Sequence, residues 1–278
     1  MPVSGLDFAS GRDLRSAGMT CRICASPTSP FGTARVLDKH EIQYFRCPAC
    51  GFVQTEEPHW LAEAYSEAIA RTDLGLVTRN RGFSVLTRAV IGAFFRRDGK
   101  FLDYGGGYGL FVRTMRDLGF DFRLYERQCP NLFAGGFAAD LASSDRYELV
   151  TALEVFEHLA NPLEDIGGML RFSDSILFST VLLPTPAPGP AEWWYYALEH
   201  GQHVSLYSLE ALRQIARRFR LNLLSDGRAL HLLTPKKIPE ALFRIISRYR
   251  IARALGFMWK RESLLPRDYL ELTGQPLK

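Results

Sequence analysis

Phe101-Leu102-Asp103-Tyr104-Gly105-Gly106-Gly107-Tyr108-Gly109-Leu110-Phe111 is the stretch whose reading decides the fold. A short apolar run enters a glycine-rich turn, and a helical pattern over residues 110–118 follows. Gly105, Gly107 and Gly109 alternate as G-x-G-x-G, with Gly106 between them. Such a turn lets a ligand reach the backbone, because no Cβ stands in the way. The helix behind it aims its first N–H groups at the same place. Glu126 ends the next apolar run, Phe122-Arg123-Leu124-Tyr125, where a carboxylate can accept hydrogen bonds from a ribose diol. Without Glu126 the turn would read equally well as structural.

The pattern continues as alternating strands and helices. Residues 133–139 form a short apolar run ending at Asp140, and residues 147–153 read as a buried central strand tipped by Leu153 and Glu154. Residues 175–182 give another buried strand, and a proline-rich loop covers 184–203. Ser208 caps an amphipathic helix over 209–218, and 221–225 with 230–234 close the set as a strand pair. This alternation predicts an α/β fold, a doubly wound and mostly parallel sheet. Ligands of such sheets sit beyond the carboxyl ends of the strands, where the glycine turn, Glu126, Asp140, Glu154 and the 184–203 loop should meet.

Cys21-x-x-Cys24 and Cys47-x-x-Cys50 frame a hairpin pattern over 34–46. Four thiolates at this spacing make a full tetrahedral shell for a structural Zn²⁺, and a closed shell leaves no position for substrate. A redox dithiol or disulfide pair is the alternative. Cys129 stands alone before Pro130. The division predicted from these patterns is a zinc ribbon over 1–57, a helical linker or cover over 58–97, a ligand-binding domain over 98–235 and a helical extension over 236–278. Tyr65 and the Arg79-Asn80-Arg81 cluster of the cover face either solvent or a bound ligand.

With 278 residues, 47% of them hydrophobic, the chain can bury a full core. A formal net charge of +4 does not call for nucleic acid. No apolar run reaches the roughly 18 residues of a membrane span, and Met1 to Thr20 has no apolar core of signal-peptide type, so a cytoplasmic location is expected. The basic, amphipathic stretch over 236–261 allows peripheral membrane contact or contact with an anionic substrate, with a docked helix as the plainer reading.

Asp103-x-Gly105-x-Gly107-x-Gly109 resembles motif I of class I S-adenosylmethionine-dependent methyltransferases. Glu154-Val155-Phe156-Glu157-His158 is similar to the segment after the fourth strand in ubiquinone-biosynthesis-type O-methyltransferases. The zinc-ribbon prefix and Gln202-His203-Val204-Ser205-Leu206-Tyr207-Ser208 resemble sugar C-methyltransferases. The resemblance implies a Rossmann-like sheet of seven strands and S-adenosylmethionine as methyl donor. It places Gly105, Gly107 and Gly109 under the donor, Asp103 near its ammonium, and Glu126 on its ribose. Asp140 or Leu141 flanks the adenine, and Leu153 and Glu154 border the sulfonium. A small-molecule acceptor, such as a sugar nucleotide, glycan or natural-product intermediate, would lie under the 184–203 loop. His203 is the favoured base, and His200 with Glu199 its competitor. Glu154, Glu157 and His158 could hold a divalent cation, as in the resembling O-methyltransferases, or could form a structural turn. An NAD-type oxidoreductase and a zinc-ribbon RNA-binding module are the rival classes. The first lacks the third glycine of G-x-G-x-x-G, since Leu110 stands there.

Overall fold

The computed structural model describes residues 19–66, 73–140 and 146–278. Strands β1 (Ser29–Val36) and β2 (His40–Arg46) form an antiparallel hairpin, and β3 (Val53–Thr55) pairs with β2. Leu37 and Asp38 take positive φ at the tip of a three-residue connection, closed by Lys39 N–H donating to Val36 O at 3.2 Å. A short helix, α1 (Leu61–Ala64), and a long one, α2 (Leu76–Phe94), follow.

The main sheet is built from β4 (Lys100–Tyr104), β5 (Asp121–Tyr125), β6 (Leu149–Ala152) and β7 (Ile176–Ser179), with β9 (Asn222–Ser225) and β10 (Leu230–Thr234) beyond β8 (Ser205–Leu206) in the chain. Its order is β5-β4-β6-β7-β10-β9, parallel through β7, with β10 antiparallel to both neighbours. Every residue of β6 and β7 is buried, because helices cover both faces. On one face Val150, Ile176 and Phe178 pack with Ile166 and Met169 of α4 (Pro162–Leu170) and with Leu212 and Ile215 of α5 (Leu209–Arg218). On the other face Phe101, Leu149 and Leu177 pack with α2 and with Phe111, Val112 and Met115 of α3 (Leu110–Asp117). The period of two along each strand thus sorts the two cores.

Six strands form the sheet among the described residues, and a seventh is reduced to an isolated parallel bridge between Leu124 and Ala138. The apolar run at 133–139 cannot extend further. Asn131 ties back to Ala134 on both sides, donating from Nδ2 at 2.7 Å and accepting at Oδ1 at 2.9 Å. Gly136 then takes φ +80°, which ends any extended course.

The ribbon is not a separate bead. Its sheet runs β1-β2-β3-β8, so Ser205 and Leu206, from the middle of the α/β domain, supply its fourth strand. Ser208 caps α5 through Ala211 N–H at 3.0 Å, as the sequence predicts, and donates its own hydroxyl to Cys50 O at 2.5 Å. The four thiols close in two near pairs, Cys21–Cys50 at 3.6 Å and Cys24–Cys47 at 3.5 Å. Those separations are far beyond a disulfide bond of about 2.05 Å.

At the chain's end, α6 (Glu240–Ile246), α7 (Tyr249–Met258) and α8 (Leu265–Thr273) wrap the α2–α3 side. Arg116, fully buried, meets Asp268 of α8 in a two-point pair, Nε to Oδ2 at 2.9 Å and Nη2 to Oδ1 at 2.6 Å. The same guanidinium reaches Phe122 O and Asp121, and lies 3.8 Å from the centre of the Phe137 ring. No helix among the described residues is long and apolar enough to cross a membrane.

Burial works against ionisation of Asp268, but Arg116 and Arg113 together outweigh it and hold the carboxyl below its usual range. A depressed carboxylate contributes stability above the unfolded value of about 3.9 and loses it as pH falls through the folded one. Asp268→Ala is therefore expected to cost about 3–5 kcal/mol near neutral pH, because it strands a buried guanidinium. Urea unfolding followed from pH 7 to pH 3 should show that difference shrinking toward the acid end.

Candidate active site

The carboxyl ends of β4, β6 and β7 open onto a cavity of about 400 Å³. Gly105, Gly106, Gly107 and Asp103 form one side of it, with Leu153 and Glu154 beside them. Glu199, His200, Gln202 and His203 come from the loop opposite, and Arg79, Asn80 and Phe83 from α2. The glycine turn and the histidine loop, almost a hundred residues apart in the chain, thus share one space, as predicted. Gly109, Glu126 and Asp140 are not among the lining residues; Glu126 reaches the site only through its hydrogen bond from Gly107 N–H.

The glycines divide by what a side chain there would meet. A Cβ on Gly105 would lie 2.9 Å from Val155 Cγ2, on Gly106 2.2 Å from Asp103 Oδ2, and on Gly109 2.8 Å from Asn131 Oδ1. Those three are packing glycines. A Cβ on Gly107 would meet nothing within 4 Å, so it alone leaves an open cradle toward the cavity, and its φ is +58°. Gly109, at φ +84°, starts α3 and is pressed against the 131–134 turn instead.

Glu126 is locked onto this turn. Its Oε2 accepts from Gly107 N–H at 2.9 Å, and its Oε1 from the N–H groups of Arg127 and Gln128 at 2.7 and 2.6 Å. Asp103 lies beneath the turn, accepting from Thr151 Oγ1 at 2.6 Å. Burial, with the nearby Glu126 charge, pushes its carboxyl up to about 7 despite that hydrogen bond. Asp140 is exposed, one residue past the segment where Ala139 N–H donates to Leu124 O, and Leu141 lies outside the described residues.

Glu154 is held in the left-handed region at φ +55°, which costs a non-glycine residue roughly 1–2 kcal/mol. Ser179 fixes it there, since its Oγ accepts from Glu154 N–H and donates to Oε1, both at 2.7 Å. Arg79, clamped by Asp73, stands 3.7 Å from Oε2.

The histidines occupy different settings. His203 presents Nδ1 to the Tyr195 carbonyl at 2.6 Å. A carbonyl only accepts, so Nδ1 carries the proton and Nε2 keeps its lone pair. Burial holds this imidazole down to about 4, so it stays neutral at pH 7. His200 sits at the rim with exposed Glu199 at 3.6 Å. His158 lies across from His203, ring centres 5.0 Å apart, with Nδ1 at 2.8 Å from Tyr65 Oη. Burial and the His203 neighbour keep His158 neutral as well.

Glu157 departs from the plain turn reading. Its main-chain carbonyl accepts from Val204 N–H, but neither buried carboxylate oxygen makes a well-formed hydrogen bond. Burial, then the Glu154 charge, push it up to about 8, only partly offset by its own N–H and the nearby Tyr195 and Thr180 hydroxyls. One donor atom each from Glu157, His158 and His203 lies within 4.8 Å of the others. In this cluster His203 takes the place expected for Glu154. Tyr108, Phe83 and Phe133 also line the cavity, and no motif in the sequence marks them. In the Trp193–Tyr196 cluster, Trp194 is exposed at the cavity edge while Tyr195 and Tyr196 are core.

A family model described as a methyltransferase domain matches residues 78–226, more than half of the chain. The chain belongs to this family of methyltransferase domains. The match sets aside the dehydrogenase alternative. Among curated proteins none matches this methyltransferase in sequence. Solved structures similar to it include CalO1, a methyltransferase in calicheamicin biosynthesis with bound S-adenosylhomocysteine, at 14% identity, TM-score 0.42 and 63% of this chain. An O-methyltransferase family 2 protein from Planctomyces limnophilus, in complex with apigenin, has 20% identity, TM-score 0.42 and 63% coverage. Magnesium protoporphyrin IX methyltransferase from Synechocystis, with bound S-adenosylhomocysteine, has 14% identity, TM-score 0.37, and 63% of this chain against 92% of its own. This methyltransferase spans 61% of the length of the first and 66% of the second.

Glu157 gives the site a signature in stability. An acid raised in the fold contributes fully below its unfolded value of about 4.3 and loses that contribution as pH rises toward about 8. In protein stripped of divalent ions, Glu157→Gln should therefore melt above wild type at pH 8, with the two curves converging near pH 4.5.

Proposed function

We propose that this methyltransferase binds S-adenosylmethionine over the Gly107 cradle and transfers its methyl group to a small acceptor under the 184–203 loop. The carrying observation is the single cavity shared by the glycine turn and His203. The donor supplies a methyl group already activated on a positively charged sulfur, so the protein's task is alignment. Asp103, ionised beside an ammonium group, and Glu126, facing ribose hydroxyls, would hold the donor's two polar ends. Gly107 leaves the room between them. Leu153 and Glu154 would border the reacting centre, and Asp140 lies too far out to line it.

On the acceptor side, the exposed Trp194 with Phe133 and Phe83 offers flat apolar surface for a ring, in keeping with a sugar-bearing or aromatic acceptor. His203 Nε2 would take a proton from an acceptor hydroxyl or acidified carbon. Its lowered basicity makes it a modest base, and this favours a second reading in which a divalent cation shares the task. Glu157, His158 and His203 fit such an ion by donor type, by closeness and by the unpartnered carboxylate. Held by these residues, such an ion would supply acidification of an acceptor hydroxyl, in keeping with O-methylation. The Cys21, Cys24, Cys47 and Cys50 thiols, whose Sγ atoms all lie within 4.8 Å of one another, would hold a structural Zn²⁺.

Three measurements check these assignments. Glu126→Ala should weaken S-adenosylhomocysteine binding in calorimetry by about 1–3 kcal/mol, and Gly107→Val should abolish it, while unchanged affinity in both would put the donor elsewhere. His203→Asn should slow turnover about 10²-fold or more with donor affinity kept, whereas a loss confined to His200→Asn would move the role to the rim. Metal analysis of protein purified without chelators should find about one zinc per chain, lost in Cys47→Ser together with stability rather than donor affinity.

A further inference from the structure

The helix α2 walls two spaces. Leu76, Arg79, Asn80 and Phe83 face the active-site cavity. Arg81, Ser84, Val85 and Arg88 repeat the same spacing about 140° round the helix and face a separate cleft. That cleft, about 1040 Å³, is completed by Thr114 and Leu118 of α3, by Ala252, Arg253 and Phe257 of α7, and by Lys260 and Arg261 after it. Its size is at the upper end of the roughly 300–1,000 Å³ of small-molecule sites.

Two features make the cleft more than a gap. The first is its charge. Arg81, Arg88, Arg253 and Lys260 have no acidic partner among the described residues. Of the two acids on the rim, Asp117 is already paired with Arg113 at 2.9 Å, which leaves Glu262. Arg88 is the inner member. Its Nε is buried without a hydrogen-bond partner, and a Cβ on Gly256 would come within 3.0 Å of its guanidinium, so bare α7 backbone covers it. The side chain as a whole is half-buried, and that burial works against its charge. The second feature is apolar. Val85, Leu118, Ala252 and Phe257 give it an apolar lining, and Phe257 stands 77% exposed at the mouth. A smaller hollow of about 470 Å³, lined by Tyr249, Arg250, Arg253, Ala254 and Phe257, continues from it.

The occupant must bring an anion and an apolar body together. A second copy of the chain would set cation against cation. A polynucleotide would leave the apolar lining unsatisfied. A flat bilayer would meet Phe257 and the rim but not Arg88 inside. We propose that the cleft between α2, α3 and α7 binds a single-chain anionic amphiphile, a carboxylate or phosphate on a hydrocarbon chain. Its anion meets Arg88, with Arg253 and Lys260 at the entrance, and its chain lies along Val85, Leu118 and Phe257.

The test is a fluorescence titration of the full chain with cis-parinaric acid at monomeric concentrations. Oleate, lysophosphatidate and uncharged oleyl alcohol serve as competitors. Saturable binding near one per chain is expected, displaced by the two anions at least tenfold better than by the alcohol. The Arg253→Glu/Lys260→Glu double variant, on exposed positions, and Arg88→Met should each weaken binding about tenfold or more, with S-adenosylhomocysteine affinity showing that the fold is intact. Lysophosphatidate displacing better than oleate would assign a phosphate head, and the reverse a carboxylate. The proposal is overturned by absence of saturable binding to wild type, by equal displacement by the alcohol, or by unchanged binding in the double variant. It is also overturned if binding occurs only to phosphatidylserine vesicles, which would make this a membrane surface, or only to RNA.

Discussion

The pairing of β3 with β8 is the contact on which the active site depends. Only two residue pairs form it, Val53 with Leu206 and Gln54 with Ser205. Around it, however, the N-terminal unit grips the histidine loop repeatedly. Leu37 N–H donates to Leu198 O, Thr55 N–H to Val204 O, Trp60 Nε1 to Gly201 O at 2.7 Å, and Gln202 Nε2 to Ala64 O at 2.8 Å. A loop of roughly twenty residues would otherwise carry a large ordering entropy. The four-cysteine knuckle fixes β3, β3 fixes β8, and β8 leaves His203 two residues from a rigid strand. The ribbon therefore acts as a splint for the histidine-loop side of the cavity.

Much of this was legible in the sequence, and the limits have physical causes. Asp103, the glycine turn, Glu126 and the strand tip at Leu153 and Glu154 are local patterns, each set by a few adjacent residues. The parallel sheet follows from buried runs such as 149–152 and 176–179. The two-residue β8 has no pattern to read, since a strand that short exists only because β3 is waiting for it. The Arg116–Asp268 pair joins positions 152 residues apart, and nothing in either neighbourhood announces it. Among the glycines, sequence spacing treats Gly105, Gly107 and Gly109 alike. Only the packing around each shows that Gly107 alone faces open space.

Burial was the least legible quantity and the most consequential. Glu157 and His158 read in the sequence either as cation ligands with Glu154 or as a polar turn after a strand, and the extent of their burial was not legible: Glu157 lies out of water and His158 is half-buried, next to His203. The strained φ of Glu154 and the unpartnered carboxylate of Glu157 stand one helical turn apart. Both lower stability, and both survive because Ser179, Tyr65 and the splinted loop over-determine the surroundings. Strain and unsatisfied polarity concentrated at one cavity are the usual mark of a site kept for function.

The protonation states at that cavity constrain the chemistry. Two neutral imidazoles and a carboxyl poised near 8 carry little net charge at pH 7. A lone base of this kind removes a hydroxyl proton poorly, since His203, held near 4, gains little by taking it. A divalent cation would change the balance: Glu157, His158 and His203 would hold it, and it would supply acidification of an acceptor hydroxyl. Glu157 would then serve as an ionised carboxylate, and the weak basicity of His203 would become an advantage, because a neutral imidazole, oriented here by the Tyr195 carbonyl, is the form that binds metal. Without the ion, a base as weak as His203 would match an acceptor that ionises readily, such as a phenol or an activated carbon. The acceptor's acidity and the cation are therefore coupled questions, and the electrostatics of Glu157 join them.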